Sequence, residues 1–223
     1  MIRAVIFDFN GILADDDPIH MQALRRVVEE EGLGFTEDEY MEHYLPLNDR
    51  DCFDELWKKD NRTFRAGELD ELIRRKSDYY FTAIDRKNVL FSGAASAVRA
   101  AARRGPVAIA SGARLGEIRH ILGAAGLLEF FSTIVAAEDV QRGKPDPEPF
   151  QLACDRLKNY CAQLVPQECV AVEDSLGGIQ SAHSAGMPCL GVAHSYSRGR
   201  LEEAKPQWVI DSISDFTEWL NGI

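Results

Sequence analysis

The sequence predicts an α/β protein: a doubly wound parallel sheet, interrupted after its first strand by an all-helical insertion. Three observations carry that prediction. Short apolar runs rich in β-branched residues recur along the chain and alternate with segments of helical periodicity. A highly charged stretch with no convincing strand separates the first such run from the others. Carboxylates and a hydroxyl follow directly on several of the runs, and a lysine lies beyond another, where ligands of an open α/β sheet bind. With 223 residues, 45% of them hydrophobic, the chain can bury one full α/β core and still build a smaller second unit.

Arg3-Ala4-Val5-Ile6-Phe7 reads as a buried strand that opens at Asp8 into a turn. From Asp15 to Lys87 helical patterns follow one another. Asp17-Pro18 predicts an N-cap and a proline at the first helical position, and Gly32 marks the stop of that helix. This stretch holds 20 acidic and 12 basic residues, so its net of -8 supplies most of the chain's -11. Such a charge suits a solvated lid. Beyond it come strand-like runs at Pro106-Val107-Ala108-Ile109-Ala110, Thr133-Ile134-Val135-Ala136, Cys169-Val170-Ala171-Val172, Cys189-Leu190-Gly191-Val192-Ala193 and Trp208-Val209-Ile210. Helical patterns over Ala94 to Arg104, Leu115 to Leu122, Pro147 to Tyr160 and Gly178 to Ala185 lie between most of them. The resulting division is residues 1–14 with 88–223 as a core and 15–87 as a helical insertion.

Composition also narrows the partners. A formal charge of -11 with no basic stripe repels nucleic-acid phosphates and anionic lipid, so neither nucleic acid nor membrane is expected. No run is long and apolar enough to cross a bilayer, and Asp8 interrupts the N-terminus before a signal-peptide core could form, which predicts a cytoplasmic protein. The five cysteines, an odd number with no C-x-x-C pair, read as reduced packing residues. A monomer or a weak homodimer is expected.

Four segments at expected C-terminal strand ends carry the residue types that phosphoryl transfer needs: Asp8-Phe9-Asn10-Gly11, Ser111-Gly112-Ala113-Arg114, Lys144-Pro145-Asp146-Pro147 and Glu173-Asp174-Ser175. Together, in order and spacing, they resemble the four motifs of the haloacid dehalogenase-like hydrolase superfamily, in its phosphatase and β-phosphoglucomutase branch with a helical cap after the first motif. The resemblance spans nearly the whole chain. It implies a Rossmann-like catalytic core, a Mg2+ cofactor, and a small phosphorylated metabolite as substrate, such as a sugar phosphate, held under a closing cap.

On that resemblance Asp8 is the nucleophile that becomes an aspartyl phosphate, and it also ligates Mg2+. Asp174 is the second metal carboxylate, Glu173 orders a water on the metal, and the backbone carbonyl of Asn10 is a further ligand. Ser111, with the backbone N–H groups of Gly112 and Ala113, holds phosphate oxygens, and Lys144 offsets the charge between Asp8 and the phosphoryl group. In the cap, His20, Arg50 and Lys76 fall where the mutase branch binds its sugar phosphate. One position departs from the pattern: Asn10 stands where the family usually has the aspartate that protonates the leaving group. Loss of positioned acid–base catalysis lowers a rate by about 10² to 10⁴. Asn10 therefore suits a slow natural branch, a substitution that traps the covalent intermediate, or a protein that binds phosphate without turning it over. A phosphomutase, handing the phosphoryl group to a second sugar hydroxyl, is the rival enzyme reading.

Overall fold

The computed structural model describes residues 1–45, 47–84 and 89–223. Six parallel strands form one sheet: β1 (Ala4–Phe7), β2 (Val107–Ala110), β3 (Thr133–Val135), β4 (Cys169–Glu173), β5 (Cys189–Val192) and β6 (Trp208–Ile210). Their order is β3-β2-β1-β4-β5-β6. Each expected apolar run is a strand, within one residue of its expected bounds. The order reverses direction beside β1, so the switch point of this doubly wound sheet lies at the C-terminal ends of β1 and its neighbours.

The chain divides into two compact units, Met1–Asp15 with Leu90–Ile223, and Asp16–Val89. The expected boundary at 87/88 lies outside the described residues.

In the sheet unit, β1 is buried on both faces, which explains its unbroken apolar run. Ala4 and Ile6 pack into a cluster with Phe150, Ala153 and Leu157 of helix α7 (Glu148–Leu157) and Ile179 and Ala182 of helix α8 (Leu176–Ser184). On the other face Phe7 meets Phe216 of α10 (Phe216–Asn221), with ring centroids 5.3 Å apart. Burying side chains of this size contributes about 1.5–3 kcal/mol each, which anchors the strand that carries Asp8. Helices α5 (Ala94–Arg104), α6 (Leu115–Ala124) and α9 (Arg198–Glu203) complete this unit.

Among the described residues the second unit is entirely helical: α1 (Asp17–Glu30), α2 (Glu37–Glu39) running into a π turn at Tyr40–Tyr44, α3 (Asp49–Lys59) and α4 (Glu68–Ile84). Leu24, Val27, Val28, Phe53, Leu56, Trp57 and Leu72 form its core. Its charges pair at the surface, as in Lys59 with Glu39 and Arg75 with Glu31.

Several helix ends differ from expectation: α6 runs to Ala124, two residues past its expected end, and the ends of α1, α8 and α7 shift as well. Asp17 is the first helical residue and Asp16 takes the cap position, but Asp16 makes no side-chain cap bond. Its carboxylate is occupied by the Tyr80 hydroxyl and by His20. Helix α8 begins at Leu176 because the Ser175 hydroxyl accepts the Gly178 N–H and caps it there. Helix α7 stops at Leu157, with the chain turning through Lys158 to Tyr160. All five cysteines are free thiols. Among the described residues no helix is long and apolar enough to cross a membrane.

Candidate active site

Asp8 is the first residue past β1, and its N–H continues the ladder to Val172 of β4 at 2.9 Å. The chain then folds into a tight turn. Leu13 and Ala14 both donate to the Phe9 carbonyl, and Gly11 donates to Ala14. Gly11 has φ +73°, and a β-carbon there would lie 2.0 Å from an Asp174 carboxylate oxygen. Only glycine combines that backbone with that approach. Asn10 sits half-buried in the same turn, bridged to Ala14.

Lys144 reaches this turn from the loop before α7. Its Nζ lies 2.7 Å from Asp8 Oδ1 and 2.6 Å from Glu173 Oε1, with the Phe150 ring 4.9 Å away. The Asp8 and Lys144 side chains are 13% and 11% exposed. Burial pushes the Asp8 carboxyl up to about 7; the Lys144 ammonium opposes that rise and the Glu173 carboxylate adds to it. Burial by itself would lower Lys144, but the two carboxylates hold it above the ordinary lysine value, so it stays a cation.

Glu173 ends β4 fully buried. While Oε1 binds Lys144, Oε2 accepts the N–H groups of Asp174 and Ser175 and the Ser175 hydroxyl, each at 3.0 Å. Helix α8 comes so close that a β-carbon on Gly178 would lie 1.8 Å from Glu173 Oε1. The Ser181 hydroxyl donates to the Asp146 carbonyl at 2.6 Å, tying α8 to the lysine loop. Asp174 is buried beside this, and its Oδ2 accepts the Ser195 hydroxyl.

Oxygens of Asp8, Glu173 and Asp174 lie within 4.8 Å of one another. Three clustered carboxylates suit a hard divalent cation such as Mg2+. Because both Glu173 oxygens are held by protein donors, Asp8 and Asp174 are the pair whose chemistry fits direct ligation.

Ser111 follows β2, which pairs with β1 in register Phe7 to Ile109, so both strands deliver their next residues to the same sheet edge. Its N–H donates to Val135, and its buried hydroxyl accepts the Ala113 N–H at 3.0 Å. The Ala113 N–H, expected to point at a phosphate, is thus directed at Ser111, while Gly112 lies exposed between them.

In the helical unit, two of the three expected substrate residues meet. Lys76 is nearly fully buried, 2.5 Å from His20 Nδ1 and 2.7 Å from Asp49 Oδ1. His20 Nε2 lies 3.2 Å from Asp16, and its ring stacks on Tyr80 at 4.2 Å. Arg50 does not join them; it is exposed and pairs with Asp70 at 3.2 Å. Asp16, Asp49 and Tyr80, together with His194 and Ser195 in the sheet unit, were not singled out from sequence. For the last two a signal existed, since they lie two and three residues past the end of β5.

Residues 2–186 match the family described as haloacid dehalogenase-like hydrolase. The chain is 29% identical over 222 residues to the phosphorylated carbohydrates phosphatase of Thermotoga maritima, covering 96% of this chain and 99% of that protein. Among solved structures, an aspartate-to-asparagine mutant of CbbY from Rhodobacter sphaeroides, in complex with xylulose 1,5-bisphosphate, matches with TM-score 0.84 at 26% identity over 96% of each chain. The β-phosphoglucomutase of Clostridium difficile matches with TM-score 0.87 at 24% identity, over 100% of this chain and 96% of that one, a likeness of fold.

Proposed function

The chain belongs to the haloacid dehalogenase-like hydrolase family, and we propose that it acts there as a Mg2+-dependent phosphatase of a phosphorylated sugar or similar polyol, with Asp8 as nucleophile. The observation that carries this reading is the contact of Lys144 with both Asp8 and Glu173, at 2.7 and 2.6 Å, beside Asp174. A nucleophilic carboxylate meeting an anionic phosphate needs cationic partners, and these residues supply one and can recruit another. The relatives that act on a phosphorylated carbohydrate or hold a sugar bisphosphate support the substrate class.

In the proposed sequence a carboxylate oxygen of Asp8 attacks phosphorus while the P–O bond to the sugar breaks. Lys144 neutralises charge on Asp8 and on the transferring group, and the Ser111 hydroxyl, which accepts the Ala113 N–H and keeps its own hydrogen to donate, faces the phosphoryl oxygens with the Gly112 N–H. Asp8 and Asp174 would hold Mg2+, which would add to the charge neutralisation of those oxygens. Water then attacks phosphorus, releasing phosphate and restoring the Asp8 carboxylate. Asn10 has no titrating proton, so the leaving sugar oxygen takes its proton from solvent water and the attacking water gives one up to solvent, which slows both steps. Transfer to a second sugar hydroxyl instead of water would make the same site a phosphomutase.

The test is phosphate release by freshly purified protein across a panel of sugar phosphates, with and without Mg2+. Asn10→Asp should raise the rate by roughly 10² or more. Because Asn10-Gly11 is prone to deamidation, intact mass must accompany each assay. If both proteins bind Mg2+ and phosphate yet stay inert over the whole panel, the phosphatase reading is wrong and a phosphate-binding protein remains.

A further inference from the structure

The loop after β5 touches the candidate site at two points that the proposed chemistry does not use. His194 Nδ1 lies 2.7 Å from the carbonyl of Gly11, and the Ile213 N–H donates to His194 Nε2 at 3.2 Å. An imidazole nitrogen that accepts carries no proton, so Nε2 is the bare nitrogen and Nδ1–H donates to Gly11. The ring is also stacked on Phe91, with centroids 4.1 Å apart and planes at 24°. Phe91 in turn donates its N–H to Leu13, the far side of the same turn, at 3.0 Å. The next residue, Ser195, donates its hydroxyl to Asp174 Oδ2. Between these two points Gly11 lies against the Asp174 carboxylate with no room for a β-carbon.

We infer that His194 and Ser195 are positioning residues: His194 clamps the turn that carries Asp8 and Asn10, and Ser195 orients the Asp174 carboxylate. Two adjacent residues on one strand end thus hold the first and last motifs in a fixed mutual geometry. The inference rests on Asp8 and Asp174 being the reacting and metal-holding carboxylates. Its physical basis is that a misplacement of about 1 Å in a reacting group can cost on the order of 10²-fold in rate. Removing a hydrogen bond that orients a metal-binding carboxylate typically costs about 10-fold or more in metal affinity.

The test compares His194→Phe, His194→Asn and Ser195→Ala with the wild-type chain. His194→Phe keeps a ring to stack on Phe91 and loses both hydrogen bonds. His194→Asn places an amide N–H close to where Nδ1–H stands and so keeps the bond to Gly11. Amide hydrogen exchange at Gly11 and Ala14, Mg2+ affinity by calorimetry, and kcat and KM for phosphate release are read on each. Expected for His194→Phe is faster exchange in the turn and a fall in kcat on the order of 10² with little change in KM. His194→Asn should recover most of both. Ser195→Ala should weaken Mg2+ about 10-fold while leaving the exchange of the turn unaltered. A folded His194→Phe with wild-type exchange, kcat and Mg2+ affinity would overturn the inference, as would His194→Asn behaving no better than His194→Phe. If no protein, wild type and Asn10→Asp included, released phosphate while the exchange differences persisted, the clamp would stand and the phosphatase reading would fall.

Discussion

Lys144 shows how one side chain sets the electrostatics of the others. Buried with two carboxylates, it remains charged and keeps Asp8 from rising further than about 7. Lys144→Ala removes a preorganised cation, worth about 3 kcal/mol of transition-state stabilisation, so phosphate release should fall by about 10² or more. Near-normal turnover in that variant would remove Lys144 from the mechanism. The raised Asp8 value has a sign that can be worked through. Folding raises this acid above its unfolded value of 3.8, so the metal-free folded chain binds the extra proton. That contribution to stability is complete below about pH 4 and is lost as pH rises through about 7. Mg2+ requires the carboxylate, so its binding below about pH 7 must expel a proton and should weaken by roughly tenfold per pH unit. Above that pH the affinity should level off. Calorimetry in two buffers of different ionisation heat measures both the affinity and the proton; a flat profile would contradict the assignment of Asp8.

Helix α4 shows what sequence periodicity conveys and what it does not. Leu72, Lys76, Tyr80 and Ile84 fall four residues apart and are all buried, so the lysine lies within the apolar stripe of its helix. A buried ammonium is tolerated only when paired, and the pair comes from the first turn of α3, which Asn48 starts by accepting the Asp51 N–H. Lys76→Met should destabilise the protein by about 3 kcal/mol, and a cycle with Asp49→Asn should show coupling of about 1–3 kcal/mol in urea unfolding. Additive effects would mean that the two groups do not stabilise one another. The helix and its buried face were legible because local spacing encodes them. Its partners were not legible from that spacing: His20 was placed with Lys76 only by the family resemblance, while Asp49 is brought to Lys76 and Asp16 to Tyr80 by packing between helices. The same limit explains the cap of α1: Asp16 and Asp17 are equivalent by sequence, and the Tyr80 hydroxyl, 64 residues on, draws the Asp16 carboxylate away from the cap together with His20.

At the scale of the whole chain, the strand order makes neighbours of the segments that follow β1, β2 and β4 at one sheet edge; Lys144, expected at a strand end too, reaches that edge instead from the long loop between β3 and α7. The three strand ends were readable beforehand, because buried parallel strands are continuous apolar runs and the residues just past them are where such sheets bind ligands. The resemblance already placed Lys144 beside Asp8, but its second contact, with Glu173 29 positions on, and the hold of His194 on Gly11 and of Ser195 on Asp174, 183 and 21 positions apart, required coordinates, since nothing in local sequence pairs such residues. The central claim, that Asp8 carries the phosphoryl group, is best tested with a phosphate ester whose leaving group departs as an anion. Such a donor does not need the proton that Asn10 cannot supply, so the first step proceeds while attack by water stays slow. Mass spectrometry of freshly prepared protein, incubated with p-nitrophenyl phosphate and Mg2+ and quenched in acid, should find one added phosphoryl group. It should map to the peptide containing Asp8, require Mg2+ and be absent from Asp8→Asn. Release of phosphate with no adduct on Asp8, or an adduct that persists in Asp8→Asn, would contradict the claim.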